Sequence, residues 1–138
     1  MKSNKKIDEL LKNNELSITR PRQIILQLLM EKHGPFCVED IHKHIGKICD
    51  VATVYRTINQ LVEKKLVIGH QLDLDSTLYE FNHPEHHHHH LICRICHKVE
   101  TLHDCLVASF EKMLKKTGFR EIEHRLEFIG TCERCAVK

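Results

Sequence analysis

The sequence predicts an α+β protein of two units, a winged helix over residues 1–82 followed by a smaller α/β unit over residues 83–138. Three observations predict it. Segments with apolar residues at helical spacing fill the chain from about residue 4 to residue 65, and two short apolar-rich runs separated by a turn follow them. After Pro84 the pattern changes to short strand-like runs around two Cys-x-x-Cys pairs and a single helix.

Taken in order, residues 4–14 read as a short polar helix. Thr19 is placed to cap a second one, with Pro21 in its first turn, Ile24, Ile25, Leu28 and Leu29 as its apolar stripe, and Gly34-Pro35 as its end. A third begins near Cys37 and puts Val38, Ile41 and Ile45 on one face. The fourth follows Asp50 and carries Val54, Ile58, Leu61 and Val62; Lys64 and Lys65 close it, where positive charge suits the helix dipole. The runs LVIGHQL and TLYEF, with the turn-prone Asp73-Leu74-Asp75-Ser76 between them, predict a β-hairpin. Helices followed by a hairpin make a winged helix. Pro84 falls in the linker, and beyond it the sequence predicts a strand near His90–Cys93, a Cys-x-x-Cys turn and a helix from about Asp104 to Thr117, closed by Gly118. A last strand would hold Ile122, His124, Leu126 and Phe128 on one face.

Charge and cysteine usage narrow the function classes. No apolar run approaches the roughly 20 residues a membrane helix needs, and the start MKSNKKIDELLKNNE is too polar for a signal segment, so a cytoplasmic protein with no membrane partner is expected. Net charge is only +2, yet residues 1–70 carry twelve Lys/Arg against eight Asp/Glu, a net of +4, which makes the first unit the better partner for a polyanion. Seven cysteines in such a chain, an odd number with two paired spacings, point to metal rather than disulfides.

Cys93-x-x-Cys96 and Cys132-x-x-Cys135 can each aim two thiolates at one ion, and four sulfurs at tetrahedral geometry suit a closed structural Zn²⁺. The run His86–His90 enters a strand, so alternate rings should face opposite ways, His86, His88 and His90 on one side and His87 and His89 on the other. That arrangement permits two further sites, and a carboxylate such as Glu80 would harden one of them for Fe²⁺ or Mn²⁺. By residue pattern alone His124 reads as a core histidine, and Cys37, Cys49 and Cys105 as buried thiols with no role. The helix opening Asp50-Val51-Ala52-Thr53-Val54-Tyr55-Arg56-Thr57 has small and polar groups at its tip that a major groove could accept. Thr53, Tyr55 and Arg56 are its candidate contacts, to phosphate, thymine methyl or a guanine edge; packing and solvation are the plain alternative.

These pieces together resemble the ferric uptake regulator family over essentially the whole chain. The matching segments are Thr19-Arg20-Pro21-Arg22, Val38-Glu39-Asp40-Ile41, Ala52-Thr53-Val54-Tyr55-Arg56, Tyr79-Glu80-Phe81, the histidines of 86–90, Leu91-Ile92-Cys93-x-x-Cys96 and the terminal Cys-x-x-Cys. The resemblance implies a DNA-binding winged helix joined by a hinge to a dimerisation domain, and a metal-loaded homodimer that represses transcription from a partly palindromic double-stranded operator. It leaves pairing of dimers into tetramers open. Carried over by position, Glu80, His88 and His90 would hold the regulatory metal, Fe²⁺ or Mn²⁺, with Zn²⁺ able to enter in vitro. His87, His89 and His124 would line a second site, the four cysteines would hold zinc, and Tyr55 and Arg56 would touch DNA.

Three positions depart from the family pattern. Pro35 stands where a hinge histidine is usual, with His33 two residues earlier as a substitute ligand. Ser17 replaces a basic residue that enters the minor groove, with Arg20 close by as its replacement. The second site's helix carboxylate aligns near Ala108. Glu80 and the absence of a cysteine at Leu78-Tyr79 favour the iron-sensing branch over the zinc-sensing one; the segment His124–Gly130 keeps the peroxide-sensing branch as the alternative. A metalloenzyme is disfavoured by the lack of a His-Glu-x-x-His helix, and a metal buffer would leave Ala52–Arg56 without a purpose.

Overall fold

The computed structural model describes residues 4–32, 34–83, 87–105 and 107–137. His33, Pro84 and His86, which carried expectations above, lie outside the described residues. Two compact units meet at Asn82 and His83.

In the first unit α1 (Lys5–Asn13), α2 (Arg20–Glu31), α3 (Val38–Ile45) and α4 (Val51–Glu63) precede a hairpin of β1 (Val67–Gln71) and β2 (Thr77–Phe81). The helix starts are written locally. Thr19 accepts the Arg22 N–H at 3.4 Å and the Asp50 carboxylate accepts the Thr53 N–H at 2.8 Å, each satisfying one of the orphan amides of a first turn. Lys65 turns into the left-handed region at φ 58°, which lets Leu66 donate to the Leu61 carbonyl at 2.9 Å and sends the chain into β1. Ile7, Leu11, Ile25, Leu26, Ile41, Val54, Ile58 and Leu61 are fully buried together. A bridge between Phe36 and Tyr79 adds one more rung to the hairpin sheet, and the Asp75 N–H donating to the Asp73 side chain fixes its turn. In the hairpin register Ile68 faces Glu80 and His70 faces Leu78.

The second unit is built on a three-stranded sheet of order β4-β3-β5. β3 (His89–Cys93) is central, β4 (Val99–Leu102) runs antiparallel to it and β5 (Glu127–Gly130) parallel. α5 (Ala108–Lys115) and the single turn α6 (Glu133–Ala136) complete it. Three sequence expectations are corrected here. β4 was not foreseen, because Val99-Glu100-Thr101-Leu102 is a short edge segment with a charge in its middle. The helix expected from Asp104 starts only at Ala108. The expected last strand shrinks to β5, which spans only Glu127–Gly130 and pairs with β3 from His90 onward. Gly118, at φ 89°, closes the turn after α5 in a conformation that side chains rarely adopt.

Candidate metal centres

One constellation is made by the two Cys-x-x-Cys turns. Strand β3 delivers Cys93 and the turn after it Cys96; β5 lies parallel to β3, so the chain leaving Gly130 brings Cys132 and Cys135 to the same end of the sheet. The four sulfurs lie within 4.8 Å of one another, with Cys96 and Cys132 at 3.7 Å. A tetrahedral ion with Zn–S bonds of about 2.3 Å has sulfur edges of about 3.8 Å, which the Cys96–Cys132 separation matches. The backbone already favours thiolate. The Cys132 N–H donates to Cys93 Sγ at 3.4 Å, and this contact, followed by the Cys96 amide, pulls the Cys93 thiol down to about 5. Cys132 is lowered in the same way by the Cys135 amide, while Cys135, as hydrogen-bond donor to the Cys132 sulfur, is pushed up to about 12.

A second cluster gathers on the sheet. His87 Nε2 and His124 Nε2 are 3.0 Å apart, His89 Nε2 is 3.3 Å from Cys105 Sγ, and Cys105 Sγ is 3.4 Å from His124 Nε2. All four donor atoms lie within 4.8 Å of one another. Burial, then the neighbouring rings of His87 and His124, lower the pKa of His89, so its ring favours the neutral form that a metal needs. On the far side of the His124 ring, Nδ1 meets the Glu111 carboxylate of α5 at 3.3 Å.

The remaining ring pair is His88 and His90, with centroids 4.8 Å apart; His90 is buried. Alternate histidines thus divide between two clusters, as a strand's period of two requires. Within the first unit, Glu80 is buried and its Oε1 lies 2.7 Å from His70 Nε2. The two are diagonal neighbours on one face of the hairpin, and a carboxylate so enclosed is held in one orientation.

On α4 the face opposite the core carries Ala52, Tyr55 and Arg56, all exposed. Arg56 donates to Thr53 Oγ1 at 3.2 Å, and the Tyr55 hydroxyl reaches Glu39 of α3 at 3.5 Å, which raises the phenol's pKa. Arg20 is exposed at the start of α2, whereas Arg22 is tied to Ser17 and to Gln60 of α4, the latter at 2.6 Å.

Comparison with known proteins accords with this arrangement. Residues 13–129 match the Ferric uptake regulator family. The chain belongs to that family. It is 35% identical over 127 residues to the ferric uptake regulation protein of Escherichia coli K12, covering 88% of this chain and 85% of that protein. It is 34% identical over 129 residues to the one from Haemophilus influenzae, covering 90% and 88%. The crystal structure of the Vibrio cholerae ferric uptake regulator superposes with a TM-score of 0.78 at 28% identity, over 91% of this chain and 98% of that one. Ferric uptake regulators are metal-responsive DNA-binding repressors, and this chain is one of them.

Against the ferric uptake regulator pattern, three residues here were not legible as site residues. His70 has no motif of its own and emerges only from the hairpin register beside Glu80. Cys105, read as a plain buried thiol, instead joins three histidines. Ala108, near where the resemblance places a helix carboxylate, carries none, and one turn later Glu111 meets His124 of the same cluster from the outside. Spacing could have flagged Glu111, since residues three apart share a helix face.

Proposed function

We propose that this repressor answers to ferrous iron, acts in the cytoplasm as a homodimer, and blocks transcription by binding double-stranded operator DNA through α4. The reading makes it a regulator and not an enzyme. The observation that carries the metal assignment is the buried Glu80 carboxylate held by His70: an enclosed oxygen donor, used with the imidazoles of His88 and His90, suits Fe²⁺ or Mn²⁺ better than a thiolate-seeking ion. His33 is the candidate for a further donor. Cys93, Cys96, Cys132 and Cys135 would hold a structural zinc, which their sulfur spacing fits.

When bound, the regulatory ion would supply free energy that differs between DNA-competent and incompetent conformations, and a difference of a few kcal/mol is enough to switch occupancy. The chain's own residues do the rest. Asp50 fixes the first turn of α4, so Thr53, Tyr55 and Arg56 are presented from a rigid start, with Arg20 on the neighbouring helix. Dimerisation through the second unit is supported by the apolar side chains it leaves exposed, among them Phe110, Met113 and Phe119. A cytoplasmic site follows from the DNA partner.

Anaerobic titration of Fe²⁺, Mn²⁺ and Zn²⁺ into zinc-loaded protein, with a palindromic operator as reporter, tests the reading. Wild type should bind DNA at rising Fe²⁺, and Glu80→Gln should need at least about tenfold more metal, a loss of about 1.4 kcal/mol. DNA binding that ignores every metal, or that Glu80→Gln and His88→Ala leave unchanged, would overturn it. Irreversible loss after brief peroxide, with an oxidised histidine, would overturn iron sensing in particular.

A further inference from the structure

Cys105 changes the chemistry of the histidine cluster. With histidines alone, or with histidines and a carboxylate, that cluster would be a nitrogen and oxygen site open to six-coordinate Fe²⁺ or Mn²⁺. Here a sulfur lies 3.3 Å from His89 Nε2 and 3.4 Å from His124 Nε2, and His87 Nε2 lies 3.0 Å from His124 Nε2. A tetrahedral zinc with three imidazoles and one thiolate has donor-to-donor edges of about 3.3 to 3.6 Å, from Zn–N bonds of about 2.0–2.1 Å and a Zn–S bond of about 2.3 Å. These three spacings approach the edges of a four-coordinate site, short by only a few tenths of an ångström, and all four donor atoms lie within 4.8 Å of one another.

The neighbouring carboxylate takes a different part. His124 turns Nε2 toward the cluster, and its Nδ1 faces Glu111 Oε1 at 3.3 Å. A ring that donates its Nδ1 proton to a carboxylate is fixed in the tautomer that leaves Nε2 free to ligate, and becomes a stronger donor. Cys105 lies three residues before the start of α5 at Ala108, and Glu111 lies in the first turn of that helix. The sulfur and the carboxylate that meets His124 thus fall on the same short stretch, between β4 and the first turn of α5.

We propose that His87, His89, Cys105 and His124 form a second, four-coordinate zinc site with Cys105 as thiolate ligand and Glu111 as the positioning residue for His124. It deepens the metal-dependent reading above, and it gives this chain a soft centre that selects Zn²⁺ separately from the iron-responsive one. Binding releases the Cys105 proton to solvent as the Zn–S bond forms, with no change of oxidation state.

The test uses cobalt as a spectroscopic stand-in, in full-length protein with its four-cysteine centre already zinc-loaded and no DNA present, so its result is independent of whether iron controls operator binding. Added Co²⁺ should give a near-ultraviolet sulfur-to-metal charge-transfer band together with tetrahedral visible bands. Cys105→Ser should abolish the charge-transfer band. Cys105→Asp, which keeps a donor at the position and guards against a folding defect, should bind Co²⁺ without that band and lose preference for Zn²⁺ over Mn²⁺. Glu111→Gln should retain the band but need about 10- to 100-fold more metal, and side-chain NMR of the zinc-loaded protein should show the His124 Nδ1 proton resonance move upfield as its carboxylate partner is lost. No charge-transfer band in wild type, or an equal band in Cys105→Ser, would overturn the proposal.

Discussion

The two units hold themselves together by different means. In the first, fourteen buried apolar residues from all four helices and the hairpin form one cluster. In the second, only Ile92 and Cys93 among the described apolar residues are buried, and Phe119, at 74% exposure, and Met113, at 63%, stand largely in solvent. A 56-residue unit with so little covered apolar surface lies in the size range where metals or association usually supplement the core. Its buried polar groups tell the same story: His89 and His90 occupy places on the central strand that an ordinary sheet gives to valine or isoleucine. The first unit is folded by its apolar pattern, whereas the second has the small covered core of a unit that metal ligation would complete.

The largest expected effect breaks the second unit alone. Cys132→Ser, or exhaustive removal of zinc, should cost much of the binding free energy that structural zinc supplies in small domains, on the order of 10 kcal/mol. Amide hydrogen exchange should then show β3 and β5 unprotected while α2, α3 and α4 stay protected. Equal protection of β3 in zinc-free and zinc-loaded protein would mean that the sheet does not need its metal. The converse substitution strikes the first unit. Leu61 is fully buried against the helical core, and Leu61→Ala should destabilise that unit by about 2–5 kcal/mol in a denaturant titration, with zinc content and β3 protection unchanged. If β3 loses protection in step, the two units share one cooperative transition and the contrast fails.

The same contrast explains what could be read from the sequence. Helix starts in the first unit are declared within four residues, by Thr19 to Arg22 and Asp50 to Thr53, and the apolar stripes that follow bury as their spacing requires. The four-cysteine centre was equally open, since each pair is a local turn. The second unit's other features depend on partners far along the chain. Cys105 finds His89 16 residues away and His124 19 residues away, so no local spacing marks it. Residues 121–126 alternate like a strand yet lie outside β5, and His124 among them joins the cluster instead. His70 stood in plain view in the hairpin run; only the register that sets it diagonal to Glu80 gives it meaning.

The smallest expected effect is electrostatic and belongs to the first unit. The Asp50 carboxylate, accepting the Thr53 amide at the start of α4, is held below its ordinary pKa, first by the Thr53 hydrogen bonds and then by Arg56. A carboxylate whose folded pKa is depressed stabilises the fold above its unfolded value of about 3.9, and that contribution disappears as pH falls through the lower folded value. Asn also caps a helix but does not titrate, so Asp50→Asn should lower the first unit's melting temperature slightly at neutral pH, and the difference from wild type should vanish in acid. Loss of metal confuses any such measurement on the whole chain, because acid also protonates the histidines and cysteines of the second unit. The comparison is therefore made on α4 amide exchange at fixed zinc occupancy, between pH values on either side of the carboxylate range. Parallel curves for the two proteins down to the lowest pH would show that the charge at Asp50 adds nothing to the cap, leaving its hydrogen bond to Thr53 as the whole of its role.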